Sequence, residues 1–411
     1  MEYTFNGYYT LIVAVLVLLM GRLLVAKISF LREYNIPEPV AGGLVAALIA
    51  YLLYLFFGVS GVFQSDLQTI FMLVFFTSIG LGANLGKLVE GGKGLIIFLM
   101  VVFLFILLQN ITGMGLAHAL GLDPLIGLIA GSITLTGGHG TAGAWGSILE
   151  NKYHIEGATT LGMASATFGL VLGGLIGGPV ARYLIVRKKL AMERRLSDVE
   201  KDNLIPLPED QDSVPFEYSQ KTRLITADNA ITTMGMFAAC LAFAHFITDF
   251  TQDTAIELPT FVWALGGGVI LRNILEMGFK FSIFDRAIDV FGNTSLSIYL
   301  AMALLSLKLW MLADLAGPLV IILAAQTILI ASFTMFVTFK IMGSNYDAAV
   351  LAAGHCGFGM GATPTAIANM QAITNMYGPS HKAFLIVPLV GAFFIDLLNV
   401  AVIQTLLNIF G

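Results

Sequence analysis

Residues 132–145 read SITLTGGHGTAGAW, and residues 353–371 read AGHCGFGMGATPTAIANMQ. Both stretches are dense in glycine, hydroxyl-bearing and small residues, and both interrupt long apolar runs. Glycine allows the backbone to leave helical geometry, which exposes N–H and C=O groups. In a lipid bilayer such groups must face protein or water. The two stretches therefore predict glycine-rich, broken-helix or re-entrant segments inside a helical membrane protein.

The composition of the whole chain points to the same class of protein. Of its 411 residues, 57% are hydrophobic and 11% are charged, whereas a soluble domain carries about 25% charged residues. This number of charges is too small to cover the surface of a soluble globule of this size. Lipid is therefore the expected solvent for most of the surface. The alternating pattern of barrel strands is absent, and the net charge of −5 gives no support to nucleic-acid binding.

Ten apolar runs have the length needed to cross a bilayer as a helix. They cover residues 8–27, 38–57, 66–86, 94–118, 158–183, 227–249, 258–275, 290–312, 317–340 and 382–410. Residues 187–223 hold most of the charge runs and three prolines, which discourage a continuous helix there. We predict an all-α polytopic membrane protein with transmembrane repeats at 1–186 and 224–411, joined by a cytoplasmic linker at 187–223.

Two patterns indicate that the halves are inverted copies of each other. Lysine and arginine gather on one side of the membrane, as the positive-inside rule requires, only if each half crosses an odd number of times. We therefore predict five crossings and one non-crossing excursion per half, with both termini in the periplasm. Inverted repeats are typical of secondary transporters, whose sites lie where the repeats meet. Sequence matches at similar offsets join Pro39 with Pro259, Ser78 with Ser297 and His139 with His355.

Two interpretations of the glycine-rich stretches remain open at this level. N–H groups at a helix start attract carboxylates, and freed carbonyls and hydroxyls suit a hard cation such as sodium. Small residues also allow tight helix packing, which is how we interpret the run GGLIGG at 173–178. Matching positions in two inverted halves favour a functional role for the two longer stretches. Each of them could be a re-entrant hairpin or a broken helix that crosses.

Several isolated polar residues interrupt the apolar runs. Asp396 in FFIDLLN is costly at membrane depth, and we predict a role linked to a cation or a proton, with a structural ion pair as the alternative. Asn399 lies three residues on and shares its helix face. Asn84, Gln109 and Asn110 fit interhelical hydrogen bonding as well as they fit transport.

The histidines and cysteines carry no enzyme or metal signature. His139 and His355 fit a proton shuttle and a neutral, hydrogen-bonded imidazole equally well. Cys240 and Cys356 give neither a disulfide framework nor a metal-ligand spacing. The chain lacks an HExxH motif and a nucleophile elbow, so we expect no enzyme activity and no cofactor. A channel is a further alternative, which inverted repeats with a single buried aspartate disfavour.

The chain resembles the bacterial sodium:glutamate symporter family over essentially its whole length. The stretches that carry the resemblance are IPEPVAGGL (36–44), AGSITLTGGHGT (130–141), ATFGLVLGGLIGGPVAR (166–182), YDAAVLAAGHCGFGMGATPTAIANMQAIT (346–374) and VGAFFIDLLN (390–399). The resemblance implies a homodimer in the bacterial inner membrane, inverted five-helix domains and sodium-coupled uptake of L-glutamate. It also implies that pore-loop elements at 137–140 and 354–361 meet at the translocation site.

The two stretches and the resemblance together define the predicted sites. The substrate-binding candidates are Thr136, Gly137, Gly138, His139, Gly140, Thr141, Gly354, His355, Cys356, Gly357, Phe358, Gly359, Gly361 and Thr363. The candidates for sodium binding or coupling are Ser132, Thr134, Asn84, Thr365, Asn369, Asp396 and Asn399.

Alternating access is the predicted mechanism. The helices at 8–57 and 227–275 lack the polar loop signature and are predicted to form a rigid scaffold. A unit that carries both loops would move against this scaffold, in the elevator-like manner that the resemblance implies. Another dicarboxylate as substrate, or the proton as coupling ion, remains an alternative.

Overall fold

The structure, a computed structural model, describes residues 2–33, 36–58, 60–84, 92–190, 225–252, 258–281, 283–305 and 315–411. Apart from two short strands, the regular secondary structure of these residues is helical. The predicted linker at 187–223 lies outside the described residues from position 191 onward. The last residues of two predicted spans, 85–86 and 306–312, also lie outside them.

The N-terminal half contains helices of unequal length. They are α1 (Gly7–Lys27), α2 (Ser29–Glu33), α3 (Glu38–Phe57), α4 (Ser65–Gly82), α5 (Gly92–Ala119), α6 (Pro124–Leu128), α7 (Gly138–Asn151) and α8 (Ala158–Arg187). A π-helical turn, π1 (Ile129–Ile133), extends α6. Strands β1 (Glu2–Phe5) and β2 (Ser60–Phe63) pair in parallel and lead into α1 and α4, so these two helices begin at the same end of the bundle.

The C-terminal half follows the same order of elements. Its helices are α9 (Ala227–Thr251), α10 (Thr260–Asn273), α11 (Asp285–Leu305), α12 (Ala316–Phe333), α13 (Phe339–Ile341), α14 (Tyr346–Gly359), α15 (Thr363–Tyr377), α16 (His381–Leu389) and α17 (Ile395–Phe410). The π-helical turns are π2 (Ile274–Gly278) after α10, π3 (Thr334–Thr338) between α12 and α13, and π4 (Val390–Phe394) between α16 and α17.

Helices of the first half have counterparts that start 220 to 225 residues later. The pairs are α1 with α9, α3 with α10, α4 with α11, α5 with α12, α6 with α14, α7 with α15, and α8 with α16. His139 lies in α7 and His355 lies in α14. These two helices are not counterparts, so the two histidines do not occupy equivalent positions, contrary to the match predicted from the sequence.

The described helices make the chain a multi-pass membrane protein. Seven of the ten predicted spans coincide with helical runs that are long and apolar enough to cross a bilayer: α1, α3, α5, α8, α9, α11 and the run Ala316–Ile341. The other three coincide with α4, α10 and α17, which are shorter as regular α-helices. Helix α10 continues into π2, and π4 precedes α17 and joins it to α16. A π turn keeps the chain helical while it interrupts α geometry.

The helices sort into two groups by their packing. Helices α1, α3, α4, α9, α10 and α11, here called the scaffold group, pack mainly on one another. Helices α5 to α8 and α12 to α17 form a second unit, the loop group, which carries both glycine-rich stretches and most of the largest buried core. The two groups meet where α7 contacts α11 and where π4 contacts α4.

Candidate functional site

The second glycine-rich stretch folds as a pair of antiparallel helices. Near its outer end, Ser380 Oγ donates a hydrogen bond to Asp347 at 2.6 Å. Near its inner end, a Cβ on Gly357 would lie 2.4 Å from Ala366 Cα. Helices α14 and α15 therefore start and finish at one end of the bundle, and residues 360–362 form the tip where the chain turns back.

The first glycine-rich stretch breaks in a different way. Helix α6 and π1 run along α5, where a Cβ on Gly113 would lie 2.2 Å from the carbonyl oxygen of Gly127. The chain then leaves helical geometry at Gly131 (φ −107°, ψ −132°) and takes a positive φ of 70° at Gly138. Helix α7 packs on α8, not on α6, so the two arms of this segment are splayed.

The two breaks meet inside the loop group. A Cβ on Gly138 would lie 3.5 Å from the carbonyl oxygen of Gly361, and Thr136 Oγ1 lies 3.4 Å from the carbonyl oxygen of Gly359. Residues separated by more than half of the chain thus become neighbours. This contact joins the two stretches that the sequence singled out.

Gln109 of α5 bridges the two tips. Its Nε2 donates to the carbonyl oxygen of Gly359 at 3.0 Å, and its Oε1 accepts a hydrogen bond from Thr136 Oγ1 at 2.6 Å. Its own carbonyl oxygen accepts a hydrogen bond from Gln326 Nε2 at 2.7 Å. Both glutamines are fully buried. One amide side chain therefore fixes the position of both tips relative to α5.

A second polar cluster, which we call the amide cluster, consists of Asn110, Ser132 and Asn399. The backbone N–H of Ser132 donates to Asn110 Oδ1 at 2.9 Å, and Asn110 Nδ2 donates to Ser132 Oγ at 2.8 Å. Asn399 Nδ2 donates to the carbonyl oxygen of Ser132 at 2.8 Å. Asn399 Oδ1 is buried and has no hydrogen-bond partner in the part of the chain that the structure describes. Such an oxygen is available as a ligand for a hard cation.

Two helices begin at the tips. Helix α7 starts at Gly138 and α15 starts at Thr363, and neither N-terminus receives a side-chain cap. At the outer ends of the two segments, Asp123 caps α6 and Asn345 caps α14. Because the first N–H groups of a helix lack intrahelical partners, two uncapped starts side by side favour the binding of anions.

The two histidines have different surroundings. His139 Nε2 lies 3.0 Å from Thr167 Oγ1 of α8. His355 Nδ1 lies 3.0 Å from Thr338 Oγ1, while its Nε2 is buried without a partner among the described residues. Four aromatic rings enclose His355: Phe98, Phe105, Phe333 and Phe358. This apolar enclosure favours the neutral imidazole over the proton shuttle.

Other predicted substrate residues line the walls of the two segments. Thr141 packs against Gly137, and the carbonyl oxygen of Gly140 lies 3.4 Å from the hydroxyl of Tyr299 in the scaffold group. Cys356 Sγ lies 3.3 Å from Thr334 Oγ1. In α14, Gly354 packs against the side chains of Val387 and Met370.

Three further sodium candidates lie in different parts of the loop group. Thr134 Oγ1 donates to the carbonyl oxygen of Ile129 at 2.7 Å, within the first segment. Thr365 is buried at the start of α15, and its hydroxyl has no partner among the described residues. Asp396 lies in the first turn of α17, is half-buried, and forms no ion pair within the described ranges.

Two other sodium candidates form hydrogen bonds between elements that are far apart in the sequence. Asn84 Nδ2 donates to Glu276 Oε2 at 2.6 Å, which joins the residues that follow α4 to π2 after α10. Asn369 Nδ2 donates to the carbonyl oxygen of Gly173 at 2.8 Å, which ties α15 to α8. A Cβ on Gly177 would lie 2.2 Å from Asn369 Nδ2, so Gly177 of the GGLIGG run packs closely, whereas a Cβ on Gly178 of the same run would meet no atom within 4 Å.

Gln109, Asn110, Gln326 and Thr167 are central residues that the sequence analysis did not assign to the site. Gln109 and Asn110 were noted only as polar interruptions. The available signal was weak: two adjacent amides in LLQNITG and one glutamine in the apolar run LAAQTILI. Only contact with the tips distinguishes these residues from amides that join helices elsewhere.

Comparisons with known proteins cover both halves of the chain. The family described as Sodium/glutamate symporter matches residues 3–379. A protein of Haemophilus influenzae named sodium/glutamate symporter is 51% identical over 404 residues, which are 98% of each chain. Proteins of the same name from Escherichia coli and Shigella flexneri are each 53% identical over 400 residues, which are 96% of each chain.

Proposed function

Since the chain belongs to the sodium/glutamate symporter family, we propose that it takes up L-glutamate together with sodium as a secondary active transporter. It is a transporter and not an enzyme. The observation that carries the site proposal is the meeting of the two tips at Gly138 and Gly361. Substrate and sodium would bind around this contact, between the two glycine-rich segments.

We propose that the two halves form an inverted repeat. The directions of counterpart helices support this arrangement. Phe105 of α5 packs on Phe333 of α12 at 5.3 Å, and further along α5, Gln109 receives its hydrogen bond from the earlier residue Gln326. Helices α5 and α12 therefore run antiparallel, as do α4 and α11. Opposite directions of counterparts are what an inverted repeat requires.

The two segments would be re-entrant and would enter the membrane from opposite sides. The start of α16 lies beside the start of α5, because a Cβ on Gly94 would lie 3.5 Å from Lys382. The end of α17 lies beside the end of α7, because a Cβ on Gly411 would lie 2.3 Å from the ring of Tyr153. The ends of α14 and α15 that point away from their tip therefore lie where α5 begins. The corresponding ends of α6 and α7 lie at the opposite end of the bundle.

The carboxylates of glutamate would bind at the uncapped starts of α7 and α15. Each start offers backbone N–H donors and the positive end of a helix dipole, which matches a substrate with two carboxylates. Gly137, Gly138 and Thr363 are partly exposed, so a ligand can reach them. The Thr363 hydroxyl adds a donor and an acceptor at the same place.

Sodium would bind at the amide cluster. Asn399 Oδ1 is the unpaired ligand there, and the hydroxyl of Ser132 is a second oxygen within the cluster. Asp396 lies three residues before Asn399 on the same helix face and would supply the negative charge that favours a cation. Because the cluster joins π1 to α17, bound sodium would stabilise the first tip in the position that binds substrate.

Alternating access would occur by movement of the loop group against the scaffold group, as an elevator. The contacts between them support a sliding interface. Gly140 packs against Phe75, and Trp145 packs edge-to-face on Phe261 at 5.3 Å. Contacts of aromatic rings with glycine or with other rings can shift without the loss of ion pairs, and sliding of packed helices is a known mode of domain movement.

We propose that the protein lies in the bacterial inner membrane with both termini in the periplasm and the linker at 187–223 in the cytoplasm. The basic ends of several helices support this orientation. Lys93 near the start of α5 lies at the same end of the bundle as Lys382, and Arg187 is both the last residue of α8 and the first residue of the linker. A homodimer through the scaffold group follows from the family resemblance.

Uptake into liposomes tests the proposed function. Purified protein would be reconstituted, and radiolabelled L-glutamate uptake would be followed with an inward sodium gradient, a potassium gradient or a proton gradient. Saturable, concentrative uptake only with sodium is the expected result. Uptake driven by protons would reassign the coupling ion, and no glutamate movement under any gradient would overturn the substrate.

The sodium site has its own test. Asn399→Ala removes the unpaired oxygen, so the sodium concentration for half-maximal uptake should rise about tenfold, which corresponds to the loss of one favourable ligand contact. Asn408→Ala, in the exposed last turns of the same helix, is the matched control and should leave this concentration unchanged. Equal sodium dependence of the two variants would remove Asn399 from the site.

A further inference from the structure

A cavity of about 850 Å³ lies where the end of α8 meets the end of α15. The described residues that line it are Gly178, Pro179, Arg182, Tyr183, Val186, Arg187 and Met376. The cavity is separate from the two tips, which lie near the middle of α8 at Thr167 and Gly169. The proposed transport mechanism therefore leaves this cavity unused.

The charge of the cavity is positive. Arg182 is exposed and has no partner among the residues that the structure describes. Arg187 donates to the hydroxyl of Tyr183 and lies over its ring, with Cζ 5.4 Å from the ring centroid. None of the lining residues that the structure describes is acidic. Planar guanidinium groups bind phosphate oxygens through paired hydrogen bonds, so two unneutralised arginines in one cavity fit a phosphate group.

The cavity lies at the level of the lipid headgroups along the membrane normal. Helix α8 has 30 residues, so it spans about 45 Å, close to the full thickness of a bilayer with its headgroup regions. Arg187 is its last residue, and Arg182 lies less than two turns earlier. Both guanidinium groups are thus placed at the level where phospholipid phosphates lie.

An exposed apolar track leads from the arginines toward the middle of the membrane. Leu175 and Pro179 precede Arg182 by seven and three residues, which puts all three on one face of α8. Leu175 is 43% exposed and Met376 on the opposite wall is 59% exposed. A Cβ on Gly178 would meet no atom within 4 Å, so the floor between the two helices is open. A free phosphate needs no such track, whereas an acyl chain does.

We propose that this cavity is a binding site for an anionic phospholipid. The phosphodiester group would bind Arg182 and Arg187, and one acyl chain would lie along Leu175 and Met376. Basic pockets between membrane helices at the headgroup level recognise anionic lipids in this way. The lipid would contact the loop group, and the proposal does not depend on which solute the protein transports.

Native mass spectrometry of the full-length protein in detergent tests the proposal, with dioleoyl phosphatidylglycerol and dioleoyl phosphatidylethanolamine as probes. The wild-type protein should bind phosphatidylglycerol in preference to phosphatidylethanolamine. Arg182→Gln/Arg187→Gln should weaken phosphatidylglycerol binding at least about tenfold, since it removes two charge-assisted contacts. Gly178→Leu retains both charges but fills the floor of the cavity, and should also reduce this binding.

Lys188→Gln/Lys189→Gln is the matched control, because it removes the same charge from exposed neighbours that do not line the cavity. It should bind phosphatidylglycerol within about twofold of the wild type if the site is specific. Equal losses in the lysine and arginine variants, or wild-type binding by the arginine variant, would overturn the proposal. Displacement of phosphatidylglycerol by millimolar inorganic phosphate would also overturn it, since the site would then be one for a soluble anion. Size-exclusion chromatography verifies that each variant is folded.

Discussion

The two glycine-rich segments share a composition but are held in place by different contacts. Helices α14 and α15 of the second segment pack directly on each other, with Gly357 against the backbone of Ala366. The arms of the first segment do not pack on each other: α6 lies along α5, and α7 lies along α8. Amide side chains of α5, Gln109 and Asn110, fix the first segment by hydrogen bonds.

Because of this difference, the two segments are expected to respond differently to ligands, although their compositions are similar. The second segment is a self-contained helix pair, whose shape depends on the absence of side chains between its arms. The first segment depends on polar neighbours in α5 and α17, so its position responds to whatever binds those neighbours. Sodium at the amide cluster would therefore act on the first tip more directly than on the second.

The largest effect is expected for Gly357→Ala in the second segment. The new Cβ would lie 2.4 Å from Ala366 Cα and 2.5 Å from its nitrogen, so the two arms must separate. Overpacking of this kind costs about 1–3 kcal/mol, and displacement of a site by about 1 Å can reduce a rate about 100-fold. We expect a loss of glutamate uptake of that size, measured as initial rates in liposomes.

Gly115→Ala in α5 is the control for Gly357→Ala, because its Cβ would meet no atom within 4 Å. It should retain wild-type uptake. Undiminished uptake by Gly357→Ala would show that close contact between the arms is not required, and would remove the contrast between the two segments.

The next largest effect is expected for Asn110→Ala, which acts on the first segment. It leaves the buried N–H and hydroxyl of Ser132 without their partner, at a cost of about 1–3 kcal/mol. We expect a lower melting temperature and a sodium concentration for half-maximal uptake that is about tenfold higher. The control, Thr338→Val, removes the partner of His355 in the second segment and should leave the sodium dependence unchanged. An equal increase of this sodium concentration in both variants would show that sodium does not act mainly on the first segment.

A smaller effect is expected for Gly138→Ala at the first tip. The positive φ of 70° at this position costs a residue with a Cβ about 1–2 kcal/mol, although the nearest atom, at 3.5 Å, leaves room for the methyl group. Uptake should fall about fivefold to tenfold. Gly138→Asn should retain more uptake than Gly138→Ala, because asparagine tolerates the left-handed region. The reverse order would show that space and not backbone conformation restricts this position.

The smallest effect is expected for Tyr299→Phe, at the contact between α7 and the scaffold group. The hydrogen bond to Gly140 is long, at 3.4 Å, so its loss should change the free energy of unfolding by less than about 1 kcal/mol. Gly143→Ala should be more harmful, because its Cβ would lie 2.2 Å from the Tyr299 hydroxyl.

The double variant Tyr299→Phe/Gly143→Ala sharpens this prediction. Removal of the hydroxyl relieves the closest of three tight contacts and leaves Met163 Cε at 2.9 Å and Tyr299 Cζ at 3.0 Å from the new Cβ. Uptake by the double variant should therefore exceed uptake by Gly143→Ala alone without reaching the wild-type level. Additive losses would show that the two residues do not share this contact.

Much of the helix pattern could be predicted from the sequence. The predicted span at 38–57 has the bounds of α3, and the predicted span at 158–183 falls inside α8, because the length of an apolar run sets the length of a membrane helix. The strand pair β1–β2 was not predicted, because each strand has only four residues and no periodic signal can develop over so short a stretch.

The site could be predicted in part. Both glycine-rich stretches were identified, because glycines combined with hydroxyl-bearing residues in an apolar run favour a break, whereas the purely apolar GGLIGG run does not interrupt α8. Their partners were not, since Gln326 and Asn110 resemble any amide that joins two helices until their contacts are known. Asn84 was grouped with the sodium candidates on the same grounds, and its side chain donates a hydrogen bond to Glu276 of π2.

The sequence by itself determined that the chain is a helical membrane protein, because hydropathy is a property of local residue order. It also marked where the helices break. Only the tertiary structure decided which breaks touch, which amide fixes each tip, and which polar groups are left unpaired. These features depend on contacts between residues such as 138 and 361, and the strength of a hydrogen bond or a close backbone contact is set by distances that local residue order does not encode.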